Sequence, residues 1–296
     1  MFRLRPLTLA DADDVLRVVQ ARQTADLGAP DVTAGDVFDL WQASSFDLAA
    51  DAVLAVDPVG AVIGYAMLWT PGALAVVDPA REGEGVGSAL LAWAEQRARV
   101  SGRSVHRQLI ASRNGAGHEL LERAGYRQVR SYWRLVRALD LALEAPAPPA
   151  GVSIAPIQPA VDLRALSAAA ETAFAGSADY EPETFGALLE EHLTAHDFDP
   201  SLSRVAWRMT NVVGFALCSR WTEQAAGYVG LLGVDPSERG QGLGSTLLVS
   251  VFAAFAAAGL REAYLEVASD NPRALGLYEG VGMTERHRMN ALEKSI

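Results

Sequence analysis

Val234-Asp235-Pro236-Ser237-Glu238-Arg239-Gly240-Gln241-Gly242-Leu243-Gly244 has a partner earlier in the chain, Val77-Asp78-Pro79-Ala80-Arg81-Glu82-Gly83-Glu84-Gly85-Val86-Gly87. The two stretches lie 234 − 77 = 157 residues apart. Without a gap, the same offset pairs Ser88 with Ser245, Leu90 with Leu247, Gly102 with Gly259, Asn114 with Asn271 and Gly125 with Gly282. One register held that long marks a duplicated domain rather than a solenoid. The join is visible as Ala145-Pro146-Ala147-Pro148-Pro149-Ala150-Gly151, which can continue neither a helix nor a central strand. Residues 1–144 are therefore expected to form one domain, 145–151 a linker and 152–296 a second domain. Directly after the linker, Val152–Ile157 echoes the opening Phe2–Leu7, and each leads into an Ala/Leu/Asp-rich helix (Ala10–Gln23 and Ala160–Ala173).

Composition narrows the function classes. The chain has 296 residues, half of them apolar, so each half is long enough to bury its own core. A single cysteine excludes a disulfide framework and a Cys-based zinc ribbon. The net charge of −11 argues against a general affinity for nucleic acid or anionic membrane. The opening MFRLRPLTLADADD turns acidic too soon for a signal peptide, and the most apolar stretch, Leu247–Leu260, is too short to span a bilayer. A cytoplasmic location is expected. Two copies in one chain also relieve the need for a dimer, so a monomer is compatible with the sequence.

In each half, strands alternate with helices. A strand pair (Ala52–Val56 with Val62–Leu68; Ser203–Met209 with Val212–Ser219) precedes a strand running into the glycines (Leu74–Val77; Tyr228–Val234). A long helix follows (Val86–Val100; Leu243–Ala258), then a strand (Ser104–Ala111; Glu262–Ala268), a helix (Ala116–Arg123; Pro272–Glu279) and a last strand. This is an α/β layer pattern. Alternating glycines at a strand-to-helix junction leave backbone N–H groups uncrowded at the positive end of a helix dipole, a site suited to a diphosphate. Arg239 adds a cation at its mouth. The glycine spacing does not fit a dinucleotide fold, and no Lys-Ser/Thr follows as in a Walker loop.

Val234-x-Pro236-x-x-Arg239-x-x-Gly242-x-Gly244, with Asn271-x-x-Ala274-x-x-Leu277-Tyr278-x-x-x-Gly282 after it, resembles the GCN5-related N-acetyltransferases (GNAT). The resemblance implies two tandem GNAT domains, each a mixed, mostly antiparallel sheet flanked by helices. It implies acetyl-CoA as acyl donor, no metal, and a small-molecule or peptide amine as acceptor. Carried onto this chain, the donor site comprises Leu232, Val234, Arg239, Gly240, Gln241, Gly242, Leu243, Gly244, Ser245 and Asn271. The tandem arrangement also resembles the mycothiol synthases, which acetylate a cysteinyl pseudodisaccharide. Those enzymes carry a glutamate on the preceding strand where this chain has Tyr228.

The halves differ where chemistry would occur. An amine attacks a thioester only as the neutral base, and the departing thiolate gains from a proton donor. Tyr278 resembles the family's donor to the CoA sulfur, and Glu266, in Leu265-Glu266-Val267, resembles a base; their counterparts are Leu121 and Leu109. Glu82 stands where Arg239 does, a carboxylate that would repel a diphosphate, with Arg81 as partial compensation. The second half is expected to be catalytic and the first degenerate. A non-catalytic acyl-CoA-binding module is the alternative of a different class. Among other candidates, His192 and His196 are four apart but lack the zincin glutamate between them and are expected on a solvated helix face. Cys218 is expected in the core, and Trp207, Trp221 and Tyr228 line either the core or an acceptor pocket. Asp179, Glu181, Glu183, Glu190, Glu191 and Asp197 suggest a solvated face or a preference for a cationic substrate.

Overall fold

Strand residues that are apolar without interruption must have both faces covered, because successive side chains point to opposite sides. Ala52–Val56 (β2) shows this: Ala52, Leu54 and Val56 pack in one cluster and Val53 and Ala55 in another. The structure, a computed structural model, describes residues 1–30, 32–42, 46–69, 72–175, 186, 189 and 192–296. They divide into two compact units. One holds Met1–Trp133, Ala268–Asp270 and His287–Ile296; the other holds Arg134–Val267 and Asn271–Arg286.

In the first unit, β1 (Arg3–Pro6) leads into α1 (Ala12–Leu27), α2 (Ala34–Gln42), the single turn α3 (Leu48–Asp51) and β2. Then come β3 (Val62–Leu68), β4 (Ala73–Val77), α4 (Val86–Val100), β5 (Val105–Ala111), α5 (Gly115–Arg123) and the start of β6 (Arg127–Ala138). Val15, Val18 and Trp41 of α1 and α2 cover one face of the sheet, and Val86 and Leu90 of α4 cover the other. The second unit repeats the plan with β7 (Ser153–Pro156), α6 (Pro159–Phe174), β8 (Arg204–Arg208), β9 (Asn211–Trp221) and β10 (Ala226–Val234). It continues with α7 (Leu243–Ala257), β11 (Glu262–Ala268), α8 (Pro272–Gly280) and the start of β12 (Thr284–Ser295). Leu166 and Ala170 of α6 pack on Phe215 and Leu217, while Leu243 and Leu247 of α7 pack on Ala206 and Val213 of the opposite face.

Both sheets are mixed and mostly antiparallel, as the sequence predicts. In the first unit the order is β1-β2-β3-β4-β5-β12, parallel only between β4 and β5. In the second it is β6-β11-β10-β9-β8-β7, with β10 and β11 parallel. The units do not follow the two halves of the sequence. Met289–Ser295 of the last strand pair with Ala111–Val105 in the first unit, whereas Arg134–Ala138 of β6 belong to the second. A strand with the same alternation can pair with either copy of the preceding strand, so the pattern of residues leaves this open.

Candidate active site

The glycine loop is built alike in both units. Asp235 accepts a hydrogen bond from the Ser237 N–H at 2.8 Å and Asp78 one from the Ala80 N–H at 3.0 Å, each turning the chain out of its strand. Gly240 and Gly242 have φ of +79° and +84°, and Gly83 and Gly85 of +78° and +82°, backbone that costs any other residue about 1–2 kcal/mol. Gly242 and Gly85 are the N-caps of α7 and α4, whose first N–H groups have no partner within the helix.

The residues at position 82 and 239 do other work than the sequence suggests. Arg239 donates from Nε to the Val234 carbonyl at 3.1 Å and from Nη2 to the Ala173 carbonyl at 2.5 Å, which ties the loop to β10 and to the end of α6. It is a staple carrying a charge, not a side chain extended at the loop's mouth. In the first unit Glu82 accepts from Arg22 of α1, so its charge is neutralised by Arg22; Arg81 is held instead by Glu84 at 2.7 Å and Asp57 at 3.2 Å. Like-charge repulsion from Glu82 is therefore weaker than expected. A cavity of ≈ 310 Å³ lies against this first loop, lined by Gly83, Gly85, Asn114, Leu109 and Leu121 among others. In the second unit an open groove of ≈ 590 Å³ runs along Ser245, Thr246, Val249, Gly276 and Leu277. The first unit thus has the more enclosed space, but no proton-transfer atom at Leu109 or Leu121.

A second asymmetry is in the backbone. β10 pairs with β11 over Ala226–Val229 only, and its register with β9 shifts between Val229 and Leu231. At this bulge Gly230 and Leu231 face the same side: Leu231 packs with Leu166, and a Cβ on Gly230 would meet the His192 ring at 3.3 Å and Tyr228 at 3.6 Å. Beyond it, the main chain of Leu231–Val234, including Leu232 and Val234, is paired with β9 on one edge and not with β11 on the other. β4 likewise parts from β5 beyond Ala73, but it pairs with β3 in continuous register, so the bulge is what distinguishes the two strands.

Around this opening lie the candidate side chains. Tyr278 of α8 is buried, and burial, followed by the neighbouring Tyr228, pushes its phenol up to about 12. Tyr228 stacks on Trp221 with ring centroids 4.8 Å apart, and Tyr264 lies 5.6 Å from Trp221. Arg134 sits 5.3 Å and 5.1 Å from the Trp221 and Tyr228 ring centroids and 3.6 Å from the Glu266 carboxylate. Glu266 is exposed between buried Leu265 and Val267, and its carboxylate is paired with Arg134. Asn271 accepts from the Ala274 N–H at 3.1 Å as the N-cap of α8, as Asn114 does from Gly117 at 2.9 Å for α5, so its carbonyl oxygen serves the helix.

His192 is half-buried, which lowers its proton affinity, and it corrects the solvated role expected of it. The signal was present: Leu189, His192 and Leu193 share one helical face, and both leucines pack in the α6 core. Trp207 belongs to that core too, and Cys218 is fully buried, its thiol pushed up by burial. Asp179, Glu181, Glu183, Glu190 and Glu191 lie outside the described residues. Sequence reasoning missed Arg134; extending the 157-residue offset into the last strands would have set it against Ala291.

Comparison with known proteins agrees with this geometry. Residues 166–283 match the family model described as the acetyltransferase (GNAT) family. A Streptomyces griseus protein named mycothiol acetyltransferase is 35% identical over 246 residues, 78% of this chain and 76% of that protein. One of the same name from Catenulispora acidiphila is 32% identical over 225 residues, 73% of this chain and 70% of that protein. The solved GCN5-related N-acetyltransferase from Sphaerobacter thermophilus superposes with a TM-score of 0.82 at 30% identity, over 99% of this chain and 95% of that one. A tandem GNAT protein from the clavulanic acid biosynthesis pathway shares the fold at 18% identity, with a TM-score of 0.78 over 100% and 98% of the two chains. Among the described residues no helix is long and apolar enough to cross a membrane.

Proposed function

This chain belongs to the GNAT acetyltransferase family and is an N-acetyltransferase, and from that premise we propose that its second unit carries the reaction, with acetyl-CoA as donor and a small-molecule primary amine as acceptor. The observation that carries this is the pairing of an opening with a proton donor. The β10 edge on the β11 side is unpaired from the bulge to the glycine loop, and the buried Tyr278 phenol is close enough to Tyr228 of that strand to feel it electrostatically. In the first unit the bulge is absent and the tyrosine is Leu121.

The donor's extended amide arm would pair with the main chain around Leu232 and Val234, as an added strand does. Its diphosphate would rest on the N–H groups of Gly240–Ser245 at the start of α7, with Arg239 holding that loop in place and Asn271 fixing the start of α8. Tyr278, protonated throughout the neutral range, would give its proton to the departing thiolate. Glu266, with Arg134 and the Trp221–Tyr228 stack, forms the wall that the acceptor meets. A molecule held in the first unit's cavity would not be turned over, because Leu109 and Leu121 can neither take nor give a proton. Acetyl-CoA is a metabolite of the cytoplasm, which is where the reaction is placed.

The relatives' name favours a narrower second reading, in which the acceptor is the amine precursor of mycothiol. Tyr228 in place of a glutamate is the feature that sets this chain apart from that chemistry. The test is a screen of primary amines, cysteinyl glucosamine derivatives included, with acetylated product read by mass spectrometry. An N-acetylated product that forms only with acetyl-CoA supports the proposal. Acetyl-CoA binding without product from any amine, or binding confined to the first unit, counts against it.

A further inference from the structure

The proton of the attacking amine needs a destination, and Glu266 is a poor one, exposed and held by Arg134 at 3.6 Å. We propose that His192 is the general base of the acetyl transfer, taking the amine proton at the β10 bulge opposite Tyr278. This rests on the reading that the second unit is the active one.

Three observations converge on it. The bulge turns Gly230 toward the His192 ring, so that a Cβ there would lie 3.3 Å from Nδ1; with no side chain at 230, the imidazole reaches the strand where its pairing with β11 has just ended. The same point is 3.6 Å from Tyr228, a side chain close enough to Tyr278 to act electrostatically on its phenol. Burial then favours the neutral imidazole, the form that can accept a proton near pH 7. Leu189 and Leu193, three residues before His192 and one after, are anchored among the core residues of α6.

The chemistry balances. The amine lone pair forms the C–N bond to the thioester carbonyl, the nitrogen loses its proton to the His192 imidazole, and the C–S bond breaks. The thiolate takes the Tyr278 proton, and imidazolium and phenolate exchange a proton through water to restore the site. An acceptor arriving as ammonium releases one further proton to solvent.

The test uses the full-length protein with acetyl-CoA and cysteinamide or glucosamine, whichever is the better acceptor, product being read by mass spectrometry. His192→Gln should lower kcat by about 10²-fold or more while KM for acetyl-CoA changes only a few-fold, which also reports a folded donor site. In His192→Ala, added imidazole should restore part of the lost rate, a recovery that a packing role cannot produce. If His192→Gln keeps kcat within a few-fold while Tyr278→Phe abolishes it, the base assignment fails and the active unit stands. A large loss in His192→Ala without rescue by imidazole also overturns it. If neither His192→Gln nor Tyr278→Phe alters kcat, the reading of the second unit fails with it.

Discussion

Arg134 and Glu266 meet at 3.6 Å in the second unit, and their counterparts at the 157-residue offset, Ala291 and Leu109, face each other as a cross-strand pair in the first. A charged pair has been exchanged as a pair for an aliphatic one at the same place in a duplicated sheet. The same unit that has the charges also has the bulge, Tyr228 and Tyr278. The difference between the two units is therefore written in side chains and in backbone together.

Replacing one partner differs from replacing both. The pair is partly exposed, with side chains 16% and 34% accessible, so its loss should cost about 1 kcal/mol or less. Arg134→Ala alone leaves Glu266 beside the aromatic stack without its cation. Arg134→Ala with Glu266→Leu installs the first unit's solution and should recover most of that stability in urea denaturation, a coupling of about 0.5 kcal/mol or more. Both variants should raise KM for the acceptor and leave KM for acetyl-CoA nearly unchanged. Strict additivity in denaturation, or a change in donor KM alone, would contradict the placement.

The glycine loop offers a test of donor binding. A Cβ on Gly242 meets no protein atom but must sit at φ +84°, a strain of about 1–2 kcal/mol, and it would project where the diphosphate is proposed to lie. Gly242→Ala should weaken acetyl-CoA binding about tenfold or more by calorimetry. Gly85→Ala carries the same strain in the first unit and should leave turnover unchanged.

How much of this was legible follows from what is local. The duplication, the loop and most helix and strand positions are carried by short-range patterns, and the predicted strands Ala52–Val56, Val62–Leu68 and Glu262–Ala268 are found at those bounds. The bulge at Gly230 is a matter of register between strands, which composition does not encode. Arg134 lies in the first half of the sequence yet in the second unit, because the last strand of each copy could pair with either partner. His192 sits in the least patterned segment, where the Leu189–Leu193 spacing was the only sign of a buried face.

That exchange of strands has its own consequence. Leu292 of β12 is 1% exposed and packs with Leu91, Leu121 and Tyr126 of the first unit, and Lys294 reaches Glu95 at 2.9 Å. Leu292→Ala should cost about 2–5 kcal/mol, read as a loss of stability in urea. Deleting 287–296 should expose the β5 edge and unfold the first unit, even though those residues end the second copy. A truncated chain that melts like the full one would contradict the assignment.

The pH dependence carries a sign. Tyr278, raised to about 12 by burial, acts as an acid only while protonated, so the rate should show no loss on its account below about pH 11. An ordinary, solvent-exposed tyrosine would begin to lose that proton near pH 10. A pH–kcat profile whose alkaline limb near 10 disappears in Tyr278→Phe would show that the phenol is less buried in action than at rest.

The most direct test of the account is steady-state turnover of Tyr278→Phe at saturating acetyl-CoA with a verified amine acceptor. The substitution keeps the ring, its volume and its packing, and removes one proton donor. The account predicts a fall in kcat of about 10²–10⁴-fold with KM for acetyl-CoA little changed, and no effect from the matching Leu121→Phe in the first unit. A kcat within a few-fold of the unsubstituted enzyme would contradict it.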